Sequence, residues 1–374
     1  MHPLFKYNVV GNMERIVSNI LLIVFCSIIV QACAKEDKAK NGTIVQLEKA
    51  SELDINVTDN ALGEFLGEIV VDEENGYLYG VDLRARTAYR IALETGEATS
   101  LAPEGRGPQE LSMPVQIAIG DNGIKIYDNS QNVIALLSGE SIVDKFPAYG
   151  EHSVWVRGYA GYVWGEKLIT SIEDPETVRE LNFEEASPIG IFDYQENELK
   201  KVARFSPSVD KLDAEYKYPI IWFDAEKNVI LYMLRTDYTL MGYDLVIGET
   251  EVIAGHKHPK YRVRSKSVNP GGSSSISAAM ELGTSMSQVI GVNRVGSRII
   301  IVWQNFNDGY YESQGDDSPG NVDYFGVGYD LSEPGDVVEF ELPGRFLGVY
   351  DNQLMIEENM GAAELVIGFY EFDE

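Results

Sequence analysis

The sequence predicts an all-β chain folded as a six-bladed β-propeller. Three observations carry that prediction. Gly67 to Glu97 reads as strands broken by a tight turn, and Met113 to Glu140 repeats the plan. A Gly-Pro loop, Glu104-Gly105-Arg106-Gly107-Pro108-Gln109-Glu110-Leu111, joins the two copies. Repeated strand-turn-strand units of this kind mark a blade array. Composition agrees: the chain holds 21 Tyr and 35 Gly, with few Ala/Leu/Glu/Lys blocks, which favours strands and turns.

The first segment is an address. Ile20 to Val30 is an apolar run, closed by Gln31-Ala32-Cys33. A bilayer span needs about 20 apolar residues, so the run is short for a permanent anchor and suits the h-region of a signal peptide. Met13-Glu14-Arg15 makes a conventional n-region, which leaves residues 1–12 as a candidate upstream mis-start. Val30-Gln31-Ala32-Cys33 resembles the bacterial lipobox, in which the Cys is diacylated and becomes the new N-terminus; the alternative is a plain secretory signal with an incidental Cys. Ala34-Lys35-Glu36-Asp37 resembles the lysine-plus-two-acids export signal of Bacteroidetes-type surface lipoproteins; the alternative is a solvated linker. The expected organisation is a signal peptide over 1–32, a lipidated flexible tether over 33–41 and a propeller over 42–374. Cys33 is the lipidation site. Acyl chains contribute about 0.8 kcal/mol per buried CH₂, so two or more hold a protein stably on a membrane. The expected location is the outer membrane, exposed at the cell surface.

The propeller strands follow in order. Glu68 to Val71 is an inner strand, turned by Asn75-Gly76 into Tyr77 to Asp82; Asn-Gly is the strongest short-range hairpin signal. Thr87 to Leu93 and Ala98 to Leu101 complete blade one. Blade two matches it with Gln116 to Ile119, Ile124 to Asp128, Val133 to Leu137 and Ser141 to Phe146. Asp82 and Asp128 close equivalent strands, where an Asp ordinarily accepts turn N–H groups. Blade three takes Tyr162 to Thr170, Ile189 to Tyr194 and Val202 to Phe205. Blade four takes Pro219 to Phe223, Asn228 to Leu234, Leu240 to Leu245 and Glu251 to Ala254. Blade five takes Ser287 to Val292, Arg298 to Gln304, Tyr324 to Asp330 and Val337 to Leu342. Arg345 to Tyr350, Gln353 to Glu357 and Leu365 to Phe372 give blade six three strands. Its fourth is expected from Thr43 to Leu47, with Lys49 to Asn60 a polar turn, and this N-terminal strand closes the ring. His256 to Ser277 and Asn305 to Asp323 read as insertions, with a short helix expected over Ile276 to Leu282.

Gly105 to Leu111, Pro114 to Ala118 and Gly123 to Asp128 together resemble an NHL-type repeat, closest to the TolB-like or NHL-like six-bladed propeller lipoproteins of Bacteroidetes-type bacteria. Gln109 and Leu111 stand where that family's phrase has Gly and Phe. The resemblance implies a propeller on an acylated Cys and no single activity, because fold does not give function.

Charge and cysteine content narrow the function. A formal net charge of −29 repels phosphate backbones, so nucleic acid is not an expected partner. Cys26 and Cys33 are the two cysteines, which leaves residues 42–374 without disulfide or thiolate-metal chemistry. Positions opening the inner strands face the axial channel: Glu68, Gln116, Gln288 and Arg345. They are candidates for orienting a small polar ligand, a sugar or a peptide end; the alternative is that polar residues simply tolerate a wet channel. Arg106 is a minor candidate, with an Arg106–Glu110 pair bracing the loop as the alternative. Lys257, Arg262 and Arg264 lie in a basic island, read either as a mobile lid over an anionic ligand or as a partner of the protein's own acidic rim. A lactonase-type metal needs several hard oxygen ligands at the channel, and Glu68 alone of these openers is acidic. No metal site or cofactor is therefore assigned, with calcium the cation to test. The leading expectation is a non-catalytic binding or scaffolding module for a carbohydrate, peptide or protein. The alternatives are a metal-dependent propeller lactonase or lyase, and a structural subunit of an envelope complex.

Overall fold

A computed structural model describes residues 42–57, 69–83, 85–120, 123–139, 141–148, 155–156, 161–173, 186–207, 219–263, 285–307, 309–310, 320–333, 335–359 and 365–373. The signal and tether, Met13, Cys33, Glu68, Arg264 and the expected helix over Ile276 to Leu282 lie outside the described residues. Gly42–Glu374 forms one unit, built almost wholly of strands.

Six antiparallel blades follow one another around a ring. Their inner strands are Ile69–Asp72, Pro114–Gly120, Tyr162–Trp164, Pro219–Asp224, Gln288–Val295 and Arg345–Tyr350. Each packs beside elements of the next blade, and the inner strand of blade six returns to that of blade one.

The ring holds because each blade is apolar on both faces and must be covered on both. One buried apolar cluster fills each of the six seams. Between blades one and two, Tyr79, Val81 and Ala88 meet Ile117, Ile126 and Leu137. Between blades six and one, Leu347, Met355 and Ile367 meet Leu78, Tyr89 and Ile91.

Ring closure uses a longer N-terminal strand than the sequence reading expects. Leu47–Val57 pairs antiparallel with Leu365–Phe372 as the outer strand of blade six. It continues into a parallel pairing of Asn56 and Val57 with Glu97 and Ala98 of blade one. Thr43–Ile44 instead pairs with the outer strand of blade five, at Val338 and Glu339. The expected turn at Lys49 to Asn60 is therefore mostly strand. An outermost strand faces water on one side, so its polar residues Glu48, Ser51 and Asp54 do not oppose pairing, while Leu53 and Ile55 pack into the seam. Blade three shows the same effect. Its outer strand is the charged Glu198–Val202, not Val202 to Phe205, and Ala203, with φ 68, lies just past its end.

The Glu104 to Leu111 loop is a joint. Glu104 and Leu111 form a parallel bridge, and the Leu111 side chain is buried in the seam between blades one and two. The Glu110 carboxylate accepts the Gly107 N–H at 2.7 Å. A side chain at Gly105 would strike that carboxylate. Lys145 Nζ donates to the Gly107 and Glu110 carbonyls at 2.8 and 2.7 Å. Gln109 forms a reciprocal amide pair with the backbone of Ile142, at 2.5 and 3.0 Å. The Asp128 carboxylate accepts the N–H groups of Ser112, Met113 and Gln131, and Asp82 accepts that of Ala85. Both thus act as the turn caps their positions suggest.

Leu111→Ala empties a fully enclosed site and should destabilise the fold by about 2–5 kcal/mol. Urea denaturation followed by tryptophan fluorescence reads the change, with the slope unaltered if the native ring is kept.

Candidate functional site

The mouth of the channel is the face on which the inner strands begin. The sequence places Gln116, Gln288 and Arg345 there, and the structure shows what each holds. Gln116 is buried and its Nε2 donates to Thr170 Oγ1 of blade three at 2.6 Å. Ser171 Oγ then donates to the Pro219 carbonyl of blade four at 2.6 Å. Gln288 is buried and its Oε1 accepts from Arg235 Nε of blade four at 3.2 Å. The Val289 N–H meets the Arg235 carbonyl at 2.6 Å. These amides tie neighbouring blades at the level where the inner strands start.

Arg345 differs. It opens the inner strand of blade six opposite Glu357, and its Nη2 lies 2.5 Å from Glu357 Oε2. The Arg345 side chain is 16% exposed and that of Glu357 is 4% exposed. The contact is a charge contact without an aligned N–H···O bond: Arg345 Nε and Nη2 are buried with no hydrogen-bond acceptor. The Tyr89 hydroxyl, across the seam on blade one, is likewise buried without a partner. Burial pushes the Tyr89 phenol well above its ordinary range, and the nearby Arg345 charge pulls it partly back. Gly80 makes the room, because a side chain there would collide with the Tyr89 hydroxyl. The seam thus gathers two buried polar atoms, Arg345 Nε and the Tyr89 hydroxyl, whose hydrogen-bonding capacity is unspent. Such atoms are rare in folded proteins and carry a cost of about 1–3 kcal/mol each.

The basic island lies along blade five wherever it is described. His256 Nε2 sits 2.7 Å from Glu339 Oε1, and Lys260 Nζ 2.7 Å from Glu341. The Tyr329 hydroxyl accepts the His256 N–H at 2.8 Å. Lys257 stands over the Tyr238 ring at 4.2 Å. The Arg262 N–H donates to Ser287 Oγ and its guanidinium to the Phe306 carbonyl, at 2.8 and 2.9 Å. The described part of the segment is fastened to the protein's own acidic rim, not held away as a lid. His258 is buried against Phe325, and that burial lowers its pKa despite the pull of Glu339 and Glu341.

Arg106 does not pair with Glu110. Its Nη2 donates to Ser130 Oγ at 3.3 Å, and Glu110 serves the loop backbone instead. Arg106, the basic island and Arg345 therefore form separate features. Among the described residues no group of three or more His, Cys, Asp or Glu gathers as a metal cluster.

Tyr89, Thr170, Arg235 and Glu357 escaped the sequence reading. Glu357 carried a signal, since it ends the strand that hairpins back on Arg345. A regular ladder from the Tyr350–Gln353 pair would set Arg345 opposite Glu358; a bulge between Phe346 and Gly348 selects Glu357.

No family model matches the chain, and no curated protein matches it. Solved structures do. A member of the DUF4221 family from Bacteroides vulgatus is 13% identical, with a TM-score of 0.69 over 89% of this chain and 100% of that one. A protein from Bacteroides fragilis, whose name places it provisionally among exported proteins, is 11% identical, with a TM-score of 0.56 over 89% of this chain and 100% of that one. At such identity the likeness is one of fold, and it agrees with the six-bladed ring.

Arg345→Met removes the buried cation beside Glu357 and should cost about 3–5 kcal/mol, whereas Arg345→Met with Glu357→Leu should recover most of the loss; urea denaturation of the three proteins decides it. The lowered His258 pKa predicts a second effect. Below the unfolded-state value of about 6.5, the unfolded chain binds the proton more readily than the folded one. Stability therefore falls as pH drops through that range, and His258→Phe should flatten the dependence of Tm between pH 7 and 5.

Proposed function

We propose that this propeller is a non-catalytic binding module of the cell envelope, carried on a lipid at Cys33. It takes a small, neutral, oxygen-rich ligand at the seam of blades six and one. One observation carries the reading: Arg345 Nε and the Tyr89 hydroxyl are buried at one seam with no hydrogen-bond partner, beside the Arg345–Glu357 ion pair. A ligand oxygen would satisfy these donors and strengthen in the low dielectric there. The Glu357 and Asp82 carboxylates, both felt at Tyr89, disfavour an anion. A sugar hydroxyl or a peptide carbonyl fits the site better. The Arg345 side chain keeps 16% of its surface open.

The lipobox-like Val30-Gln31-Ala32-Cys33 supports an anchored location, and the provisional export of the Bacteroides fragilis protein is in keeping with it.

Two measurements test the proposal. Cys33→Ala should move the full chain from the membrane fraction to the soluble fraction and remove its acyl-dependent gel mobility; unchanged behaviour would rule out the lipid anchor. The purified protein should gain thermal stability with a short neutral peptide, and the gain should vanish in Arg345→Met/Glu357→Leu. A stoichiometric bound metal, with a large Tm shift on adding calcium or a chelator, would instead favour a metal-dependent lactonase or lyase. Stoichiometric protein partners on purification, with no small-ligand response, would favour a structural subunit.

A further inference from the structure

A further feature lies at the other end of the ring, where the inner strands finish. A cleft of ≈ 190 Å³ opens between blades three and four. Its apolar wall is Trp164 and Ile191 from blade three, with Tyr243 and Leu245 from blade four. Its polar wall is Lys167, Asp193, Glu198 and Lys200, all from blade three.

Strand register builds this arrangement. Trp164 pairs with Lys167, Lys167 with Asp193, and Asp193 with Glu198, so one row crosses four strands. Two residues along, on the same face, Ile191 pairs with Lys200. The Trp164 ring is held in place, because its Nε1 donates to Asn228 Oδ1 of blade four at 3.1 Å. Tyr243 is buried to 6% exposure against the blade-three core, beside Ile191.

The rim adds an independent sign. The turn that follows Leu245 leaves Val246 and Ile247 at 74% and 66% exposure. Asp244 Oδ1 accepts both of their N–H groups, at 2.7 and 3.1 Å, which fixes that turn. Two large aliphatic side chains are thus held out in water beside the cleft.

The chemistry of the lining selects the occupant. Two lysines and two acids balance, so the cleft offers no net attraction to an ion, in a protein of net charge −29. Its polar wall presents ammonium donors and carboxylate acceptors side by side, with Lys167 Nζ 3.5 Å from Asp193 Oδ2. Trp164 and Ile191 share that face of blade three, and Tyr243 and Leu245 of blade four stand across from it. The matching ligand is neutral, apolar on one face, and ringed by groups that both donate and accept. The volume is below the roughly 300–1,000 Å³ of sites for drug-sized molecules, so a single ring fits. We infer that the cleft between blades three and four binds one pyranose ring of a neutral saccharide. The ring's C–H face would lie on Trp164, against the edge that Tyr243 presents, and its hydroxyls would meet Lys167, Glu198 and Lys200, while Asp193 caps its own turn and holds Lys167. This site shares no residue with the Arg345 seam and does not depend on it.

The test uses the full chain and the methyl glycosides of glucose, galactose, mannose and N-acetylglucosamine. Binding is read by tryptophan fluorescence and by saturation-transfer NMR. At least one glycoside should saturate, with transfer strongest at its ring C–H protons. Affinity should fall tenfold or more in Trp164→Ala. It should fall similarly in Glu198→Ala/Lys200→Ala, whose exposed side chains carry little of the core and leave folding intact. Failure of all four glycosides to saturate would overturn the inference, as would binding that survives both variants. Saturation by charged tetrapeptides in place of glycosides would overturn it in favour of a peptide site.

Discussion

A four-stranded blade that is apolar on both faces cannot stand alone in water, and this constraint organises the whole protein. Each face must be covered by a neighbour, so stability resides in the seams more than in the sheets. Six apolar clusters fill six seams. A linear array would leave its first and last blades half bare; the ring has no such ends. Closure is therefore required, and Leu47–Val57 supplies it by pairing with the last strand of blade six and then with blade one.

Polar groups follow from the same constraint. Where inner strands begin, chain segments cross from one blade to the next and their backbone groups must find partners. Ser171 meets that need at the Pro219 carbonyl, and the Gln116–Thr170 and Arg235–Gln288 side-chain bonds tie the seams on either side. Asp128, Gln131 and Lys145 meet it around the Gly-Pro loop. The seam between blades six and one departs from this economy. There a guanidinium, a carboxylate and a phenol are enclosed together, and the guanidinium and the phenol keep hydrogen-bonding capacity unspent. Buried polarity that does not complete the scaffold is where recognition is best sought, because a ligand supplies the missing partner. The cleft between blades three and four works differently. Its lining sets Trp164 among paired lysines and acids on one face of blade three, with Tyr243 and Leu245 of blade four across from them.

Much of this was legible in the residues. The period of strands and turns, with Asn-Gly at Asn75 and the repeated Asp82 and Asp128, reveals blades because side-chain alternation and turn chemistry are local. The Gly-Pro loop was recognisable for the same reason. Blade edges were not. Leu47–Val57 and Glu198–Val202 are polar or charged because one face of an outer strand meets water, and such strands resemble loops when read alone. The basic island read equally well as a lid or as a surface strap. Its attachment through Glu339 and Glu341 joins residues some eighty positions apart in sequence.

By itself the sequence determined the fold class, the number of blades, the Asp turn caps and the position of Arg345 at a strand start, since each depends on neighbours a few residues away. Only the tertiary structure decided which polar residues are consumed by the scaffold and which remain. Gln116 and Gln288 looked equivalent to Arg345 at the channel mouth, yet the first two bind adjacent blades while Arg345 meets Glu357 through a bulged register and faces Tyr89 across a seam. The cleft likewise exists only once Tyr243 of blade four is brought against Trp164 of blade three. Seams are made by packing between blades, and no local pattern along the chain encodes what two blades enclose between them.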